Sequence, residues 1–274
     1  MKKTIFSLLA ILTLSSLMFF TSCNKDQNVD TETVEAIIEG DNATVEGVVL
    51  AQENSGEEKL ASGNGCMTIT HEIDLENQKI TIIIEFNGIC DDGIERSGRM
   101  IIVADLGWRI NPLGKEISIT YENFTRRHRI FNGSISYSVD VDTVDSVVVM
   151  NTTLDNFSIA FPDSTSISLS GNKSIAFVQG FRTFWNRNDD ILKINANLEG
   201  TNRKGEHFLS ITEDVIIKRA CNYFFPVSGT KTIEFDDGRT YLVDFGDGTC
   251  DKIYTVTVNG ETYTMEYGNN DLDD

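Results

Sequence analysis

The chain has 274 residues, with 42 Asp and Glu against 23 Lys and Arg, for a formal net charge of −19. That acidic excess argues against a nucleic-acid partner, whose phosphates require a basic footprint. The length allows one large domain or two small ones with a sizeable core.

The N-terminus reads MKKTIFSLLAILTLSSLMFFTSC, with Lys2 and Lys3 ahead of an apolar run from Ile5 to Phe20. That run is short for a bilayer span and ends in small residues before a cysteine, so it reads as a secretory leader that the mature protein loses. Phe20-Thr21-Ser22-Cys23 resembles a bacterial lipobox, with Phe20 where leucine is usual. The resemblance implies cleavage before a Cys23 whose sulfur already carries a diacylglyceryl group, and two or more acyl chains anchor stably where one does not. The implied partner is a lipid bilayer. Lys25-Asp26, directly after the cysteine, resembles the surface-export signals of Bacteroidota lipoproteins, which implies an outer-membrane protein facing outward.

Residues 23–62 are acidic and almost without aromatics, which predicts a solvated tether. Within it Val34, Ile37 and Ile38, then Val45, Val48 and Val49, recur at helical spacing, so one or two short amphipathic helices are expected to lean on the domain.

From Cys66 onward the period is two. KITIIIEF puts Ile80, Ile82, Ile84 and Phe86 on one face, and RTYLVDF does the same with Tyr241, Val243 and Phe245. Asp237-Gly238 and Asn259-Gly260 fall where two-residue type I′ turns belong, and Asn132-Gly133, Pro162-Asp163 and Asn202 to Gly205 supply further turns. Roughly fourteen to sixteen strands follow from this procedure. Two internal echoes stand out: ITIIIEFNGICDDG (80–93) against TYLVDFGDGTCDKI (240–253), and YENF (121–124) against LDNF (154–157), each of the latter leading through a turn to Ser-Ile-Ser. No strand-helix alternation is present, which disfavours a parallel α/β sheet. The expected fold is all-β, an antiparallel meander forming a large curved sheet that closes toward a barrel, or a two-sheet sandwich.

Beyond Cys23 four cysteines remain, and an even count in an exported chain argues for disulfides. Cys66 and Cys90 are symmetric about residue 78, in the ENQK turn, while Cys221 and Cys250 bracket the Asp237-Gly238 turn. This predicts Cys66 with Cys90 and Cys221 with Cys250, each closing a hairpin. The loop VDFGDGTCDK, with Asp244, Asp247 and Asp251, invites a calcium reading. It lacks EF-hand spacing and a bidentate glutamate, so a turn that delivers Cys250 to its partner is the expectation. DFGDG also resembles the turn of PKD domains, but only locally.

The region from Cys66 to Tyr267 is similar to a family of Bacteroidota lipoproteins with no attached activity, through TEDVIIKRAC and VSGTKTIEFDDGRTYLVDFGDGTCDKIYTVTVNGETYTM. The resemblance takes in both cysteine pairs and implies location and fold but no chemistry.

Catalytic and metal signatures are sparse. His71, His128 and His207 are scattered without zinc-ligand spacing, and no nucleophile elbow, phosphate loop or dinucleotide fingerprint occurs. No cofactor is expected. Aspartate pairs at 91–92, 189–190 and 236–237 leave an alternative reading as an envelope polysaccharide hydrolase, which needs two carboxylates a defined distance apart. GFRTFWNRND (180–189) offers Phe181, Arg182, Phe184, Trp185 and Arg187 as a contact surface for a glycan or protein ligand, or as a strand whose aromatics enter the core. TRRHRIF (125–131) is a basic island that either holds an anion or neutralises neighbouring acids. The expected layout is a lipoprotein signal at 1–22, the tether at 23–62, a β-domain at 63–268 and an acidic tail at 269–274. The expected role is binding or structural.

Overall fold

The computed structural model describes residues 30–54, 65–90, 93–108, 113–142, 147–181, 183, 186–221 and 225–267. The leader, Cys23, Asp91-Asp92 and the acidic tail lie outside them. One helix, α1 (Thr31–Asn54), precedes thirteen strands: β1 (Met67–Asp74), β2 (Lys79–Ile89), β3 (Glu95–Asp105), β4 (Glu116–Arg126), β5 (Arg129–Asp142), β6 (Val147–Ala160) and β7 (Ser166–Gln179). There follow β8 (Ile191–Thr201), β9 (His207–Lys218), β10 (Ser228–Phe235), β11 (Thr240–Asp247), β12 (Ile253–Val258) and β13 (Glu261–Glu266).

All thirteen strands form one sheet in strict sequence order, each antiparallel to its neighbour. It is a single open sheet, so the sandwich alternative falls away. The edges β1 and β13 pair with no strand among the described residues, and both carry acids, Glu72 and Asp74 on one and Glu261 and Glu266 on the other, which discourage edge-to-edge association. Strand alternation is as expected: Ile80, Ile82, Ile84 and Phe86 are buried on one face of β2, and Tyr241, Val243 and Phe245 on one face of β11.

The main correction concerns residues 31–54. They form the helix that the spacing of their apolar residues predicts, as one 24-residue element, but no solvated tether: the sheet curls around it so that it is buried on every side. Val34, Ile37, Ile38, Val45 and Val48 join the core, but so do Glu35, Glu39 and Glu46, of which Glu39 is 0% exposed. Asp30 caps the helix, its Oδ1 accepting from the Thr33 amide at 3.0 Å. Gly40 and Gly47 mark the line of closest approach: a Cβ at 40 would lie 2.7 Å from Leu169 and one at 47 would lie 2.0 Å from the Tyr121 hydroxyl.

The curl is built from β-bulges, which bend and twist a strand where one extra residue is inserted. Asn123, Asn156 and Asp214 sit at φ of 48°, 48° and 47°, each on a bulged strand (β4, β6, β9). Each carbonyl crowds a glycine on the neighbouring strand, Gly98, Gly133 and Gly229 respectively, where a Cβ would approach within 2.0 to 2.7 Å. Each bulged amide donates to a side chain across the ladder: Asn123 to Asn132 Oδ1, Asn156 to Ser170 Oγ and Asp214 to Asn195 Oδ1. The YENF and LDNF echo is therefore the signature of a bulge. Asn132-Gly133 lies inside β5 as the partner of one and is not a turn.

Of the two expected type I′ turns, Asn259-Gly260 holds, with φ of 52° and 80° and Val258 opposite Glu261. At 237–238 only Gly238 has positive φ, and the Gly238 amide bonds to the Phe235 carbonyl, so this is a three-residue loop. A second two-residue turn with both φ positive is Arg127-His128, at 50° and 60°.

The cysteines pair as expected, with Cα separations of 5.0 Å for Cys66–Cys90 and 5.5 Å for Cys221–Cys250. Neither pair is directly cross-strand. Asn87 stands where the β1–β2 register puts a partner for Cys66, its amide bonded to the Cys66 carbonyl, and Cys90 reaches back from the β2–β3 connection. Cys221 ends a 3-10 turn (Arg219–Cys221) and meets Cys250 in the β11–β12 loop, across the base of the β10–β11 hairpin.

Candidate functional site

The inner face of the sheet is occupied chemically as well as sterically. Arg126 pairs with Glu39 and, at 3.2 Å, with Glu46, while Arg96 meets Glu46 at 2.7 Å. Arg129 lies 3.8 Å from Glu39 and 4.0 Å from Glu35. Further along α1, Asp41 is held between Lys173, at 2.8 Å, and Lys231, whose ammonium also donates to Thr212 Oγ1 at 2.6 Å. Burial opposes ionisation of Glu39, but Arg126, Arg129 and the Tyr267 hydroxyl hold its carboxyl below the usual range. Burial likewise opposes ionisation of Asp41, and the two lysines outweigh it, bringing the carboxyl down to about 2. Lys173 is itself pulled below the usual lysine range by burial. The Tyr267 hydroxyl donates to Glu39 and is pushed up to about 12 by burial and by that carboxylate. Thus the basic island at 125–131 neutralises helix acids, the second of its two sequence readings.

The contact surface expected at 180–189 is only partly described. Phe181 is half-buried and packs edge-on against Phe177, with ring centroids 5.3 Å apart, as a core aromatic does. Arg187 opens a short 3-10 turn (Arg187–Asp189); Arg182, Phe184, Trp185 and the Arg187 side chain lie outside the described residues.

In the loop after β11 the three aspartates serve separate local turns. Asp244 accepts from the Gly246 amide, Asp247 from the amide and hydroxyl of Thr249, and Asp251 from the Ile253 amide. The two described aspartate pairs sit on opposite rims of the sheet, one in the β7–β8 connection and the other in the β10–β11 loop. Asp189 accepts from Thr183, Asp236 meets His207 Nδ1 at 3.0 Å, and Asp237 pairs with Arg239.

The outer face carries the arrangement that sequence reading missed. A shallow recess of about 590 Å³ crosses β6 to β9, and a second of about 320 Å³ crosses β2 to β6, the two sharing Asn151 and Thr153. Strand register stacks their outward side chains into two rows. One runs Ser118, Ser136, Thr153, Asn172, Asn197 over five adjacent strands. The other runs Ser138, Asn151, Ser174, Asn195 over four. Both rows are uncharged in a strongly acidic chain; Glu116 and Glu213 flank them, and Lys79 at the β2 end of the groove is paired with Asp105 at 2.6 Å. Some groups are already engaged: Thr153 donates to Asn172 at 3.1 Å, Asn151 to Asp140 at 2.9 Å, and Asn195 caps the Asp214 bulge. The side chains of Ser118, Ser136, Ser138, Ser174 and Asn197 form no hydrogen bond among the described residues. The signal was present in SISYS, MNTT, GNKS and NAN, where each outward strand position is a small neutral hydrogen-bonding residue.

Comparison with protein-family models, curated proteins and solved structures finds no match to this chain. No described helix is long and apolar enough to cross a membrane.

Proposed function

We propose that the chain is a lipid-anchored protein of the outer membrane, facing outward, whose curled sheet acts as a rigid platform with a binding role. The leader ending at Cys23 carries this reading, and the resemblance to Bacteroidota lipoproteins supports it. The fold adds a geometric consequence. Asp30 is seven residues from Cys23 and is tied to the sheet through Asn202, Lys204 and the Tyr241 hydroxyl, so the anchor and the sheet are separated by at most about 25 Å of chain. Such a short leash holds the platform against the bilayer instead of letting it roam. Metabolic labelling with a clickable palmitate analogue tests the reading. The mature protein should carry label and sediment with membranes, and Cys23→Ala should abolish both. Unlabelled wild-type protein released to the medium overturns it.

A further inference from the structure

The geometry points to a binding site for an uncharged polysaccharide strand in the outer groove, a proposal that deepens the binding role above and rests on it. Neighbouring strands are about 4.8 Å apart, so the row from Ser118 to Asn197 spans about 19 Å, the length of several linked sugar rings. The two rows are separated by two residues along each strand, about 7 Å, which matches the width of one ring. A polymer laid across the strands therefore meets a fresh pair of hydroxyl or amide groups at each strand from β5 to β8, at a spacing comparable to one sugar unit.

The chemistry selects the ligand class. Ser, Thr and Asn each offer a donor and an acceptor, the complement of a sugar hydroxyl. Ser136, Ser138, Ser174 and Asn197 make no competing protein hydrogen bond among the described residues, so a ligand displaces only solvent from them. Charge narrows the choice further. Glu116 and Glu213 flank the two rows in a chain of net charge −19, and Lys79, which lines the β2 end, is already paired with Asp105 at 2.6 Å, which disfavours uronic-acid, sulfated or phosphorylated polymers. The aromatic among the lining residues, Tyr137, is buried at 2% exposure and offers no ring face to a ligand, so individual sugars are held by hydrogen bonds without ring stacking. Single-site affinity is then modest, and many anchored copies facing one polymer supply the avidity.

Purified mature protein in detergent is run in affinity electrophoresis through gels containing neutral glucans, mannans or xylan, with polygalacturonate as the acidic comparator. Retardation by at least one neutral polymer and none by polygalacturonate is expected. Asn172→Asp with Asn197→Asp, isosteric changes at exposed positions, should weaken that affinity at least tenfold while leaving the thermal midpoint unchanged. Thr264→Asp on β13, away from the groove, should bind as wild type does. Absence of retardation by every neutral polymer, equal retardation by polygalacturonate, or undiminished binding by the double variant overturns the proposal. Palmitate labelling is read separately, so loss of the groove proposal leaves the anchoring result standing.

Discussion

At the scale of single residues, the feature that governs behaviour is the set of carboxylates held inside the sheet. Buried charges persist only when paired, and removing one partner is far more damaging than replacing the pair. Glu35, Glu39, Asp41 and Glu46 each meet a base from a strand that is distant in sequence, as Asp41 does with Lys173 and Lys231. This produces a defined acid sensitivity. The Asp41 pKa lies near 2 in the folded protein, below its unfolded value of 3.8, and Glu39 is lowered in the same sense. Such groups contribute their full stabilisation above the unfolded value and lose it as pH falls through the folded one. Urea midpoints should therefore be steady from neutral pH to about 5 and fall between about 4 and 2, with Asp41 accounting for about 2 kcal/mol of the loss. Asp41→Asn should be less stable at neutral pH and should show a shallower acid slope. An unchanged slope refutes the role assigned to this carboxylate. Nothing in the sequence ties Asp41 to residues 173 and 231, because an acid-rich segment reads as solvated until the bases facing it are located in space.

Among the elements, α1 shows what periodicity hides. Its apolar positions do recur at helical spacing, yet two glycines and several β-branched residues make it a poor helix in isolation. Packing inside the sheet decides its length. Gly47 is the sharpest test, since Tyr121 donates to the Ala43 carbonyl at 2.9 Å and is wedged against Phe157, with centroids 5.2 Å apart. Gly47→Ala should lower stability by about 1 to 3 kcal/mol by overpacking, despite the intrinsic helix preference for alanine. Pairing it with Tyr121→Phe, which deletes the clashing oxygen, should recover a large part of that loss in chemical denaturation; strict additivity of the two changes contradicts the assigned contact. The strands, by contrast, were legible because a half-buried strand displays its geometry in alternation alone. The bulges were legible only as an unexplained echo: Asn after an acid and before an apolar residue announces a left-handed kink, but only the facing glycine makes that reading secure.

For the molecule as a whole, the antiparallel meander and both cysteine pairings could be read from turns and symmetry, because consecutive strands pair throughout the sheet. Openness and the filled interior could not, since they depend on contacts across the whole chain. The two cystines enclose the β1–β2 and β10–β11 hairpins, and each loop closure contributes about 2 to 4 kcal/mol. Reduction should shift the urea midpoint downward while denatured, unreduced protein shows no free thiol from these four residues; four titratable thiols in that sample contradict the pairing. The long reach of α1 has a further consequence for biogenesis. Helix residue Glu39 finds its last partner in Tyr267, 228 positions later, beyond the final strand. Hairpins can zip up one after another as the polypeptide emerges, but the acidic centre stays unsealed until the very last ribbon arrives. A truncated product is thus left gaping for proteases to clear, which makes the middle of the fold a gauge of completeness.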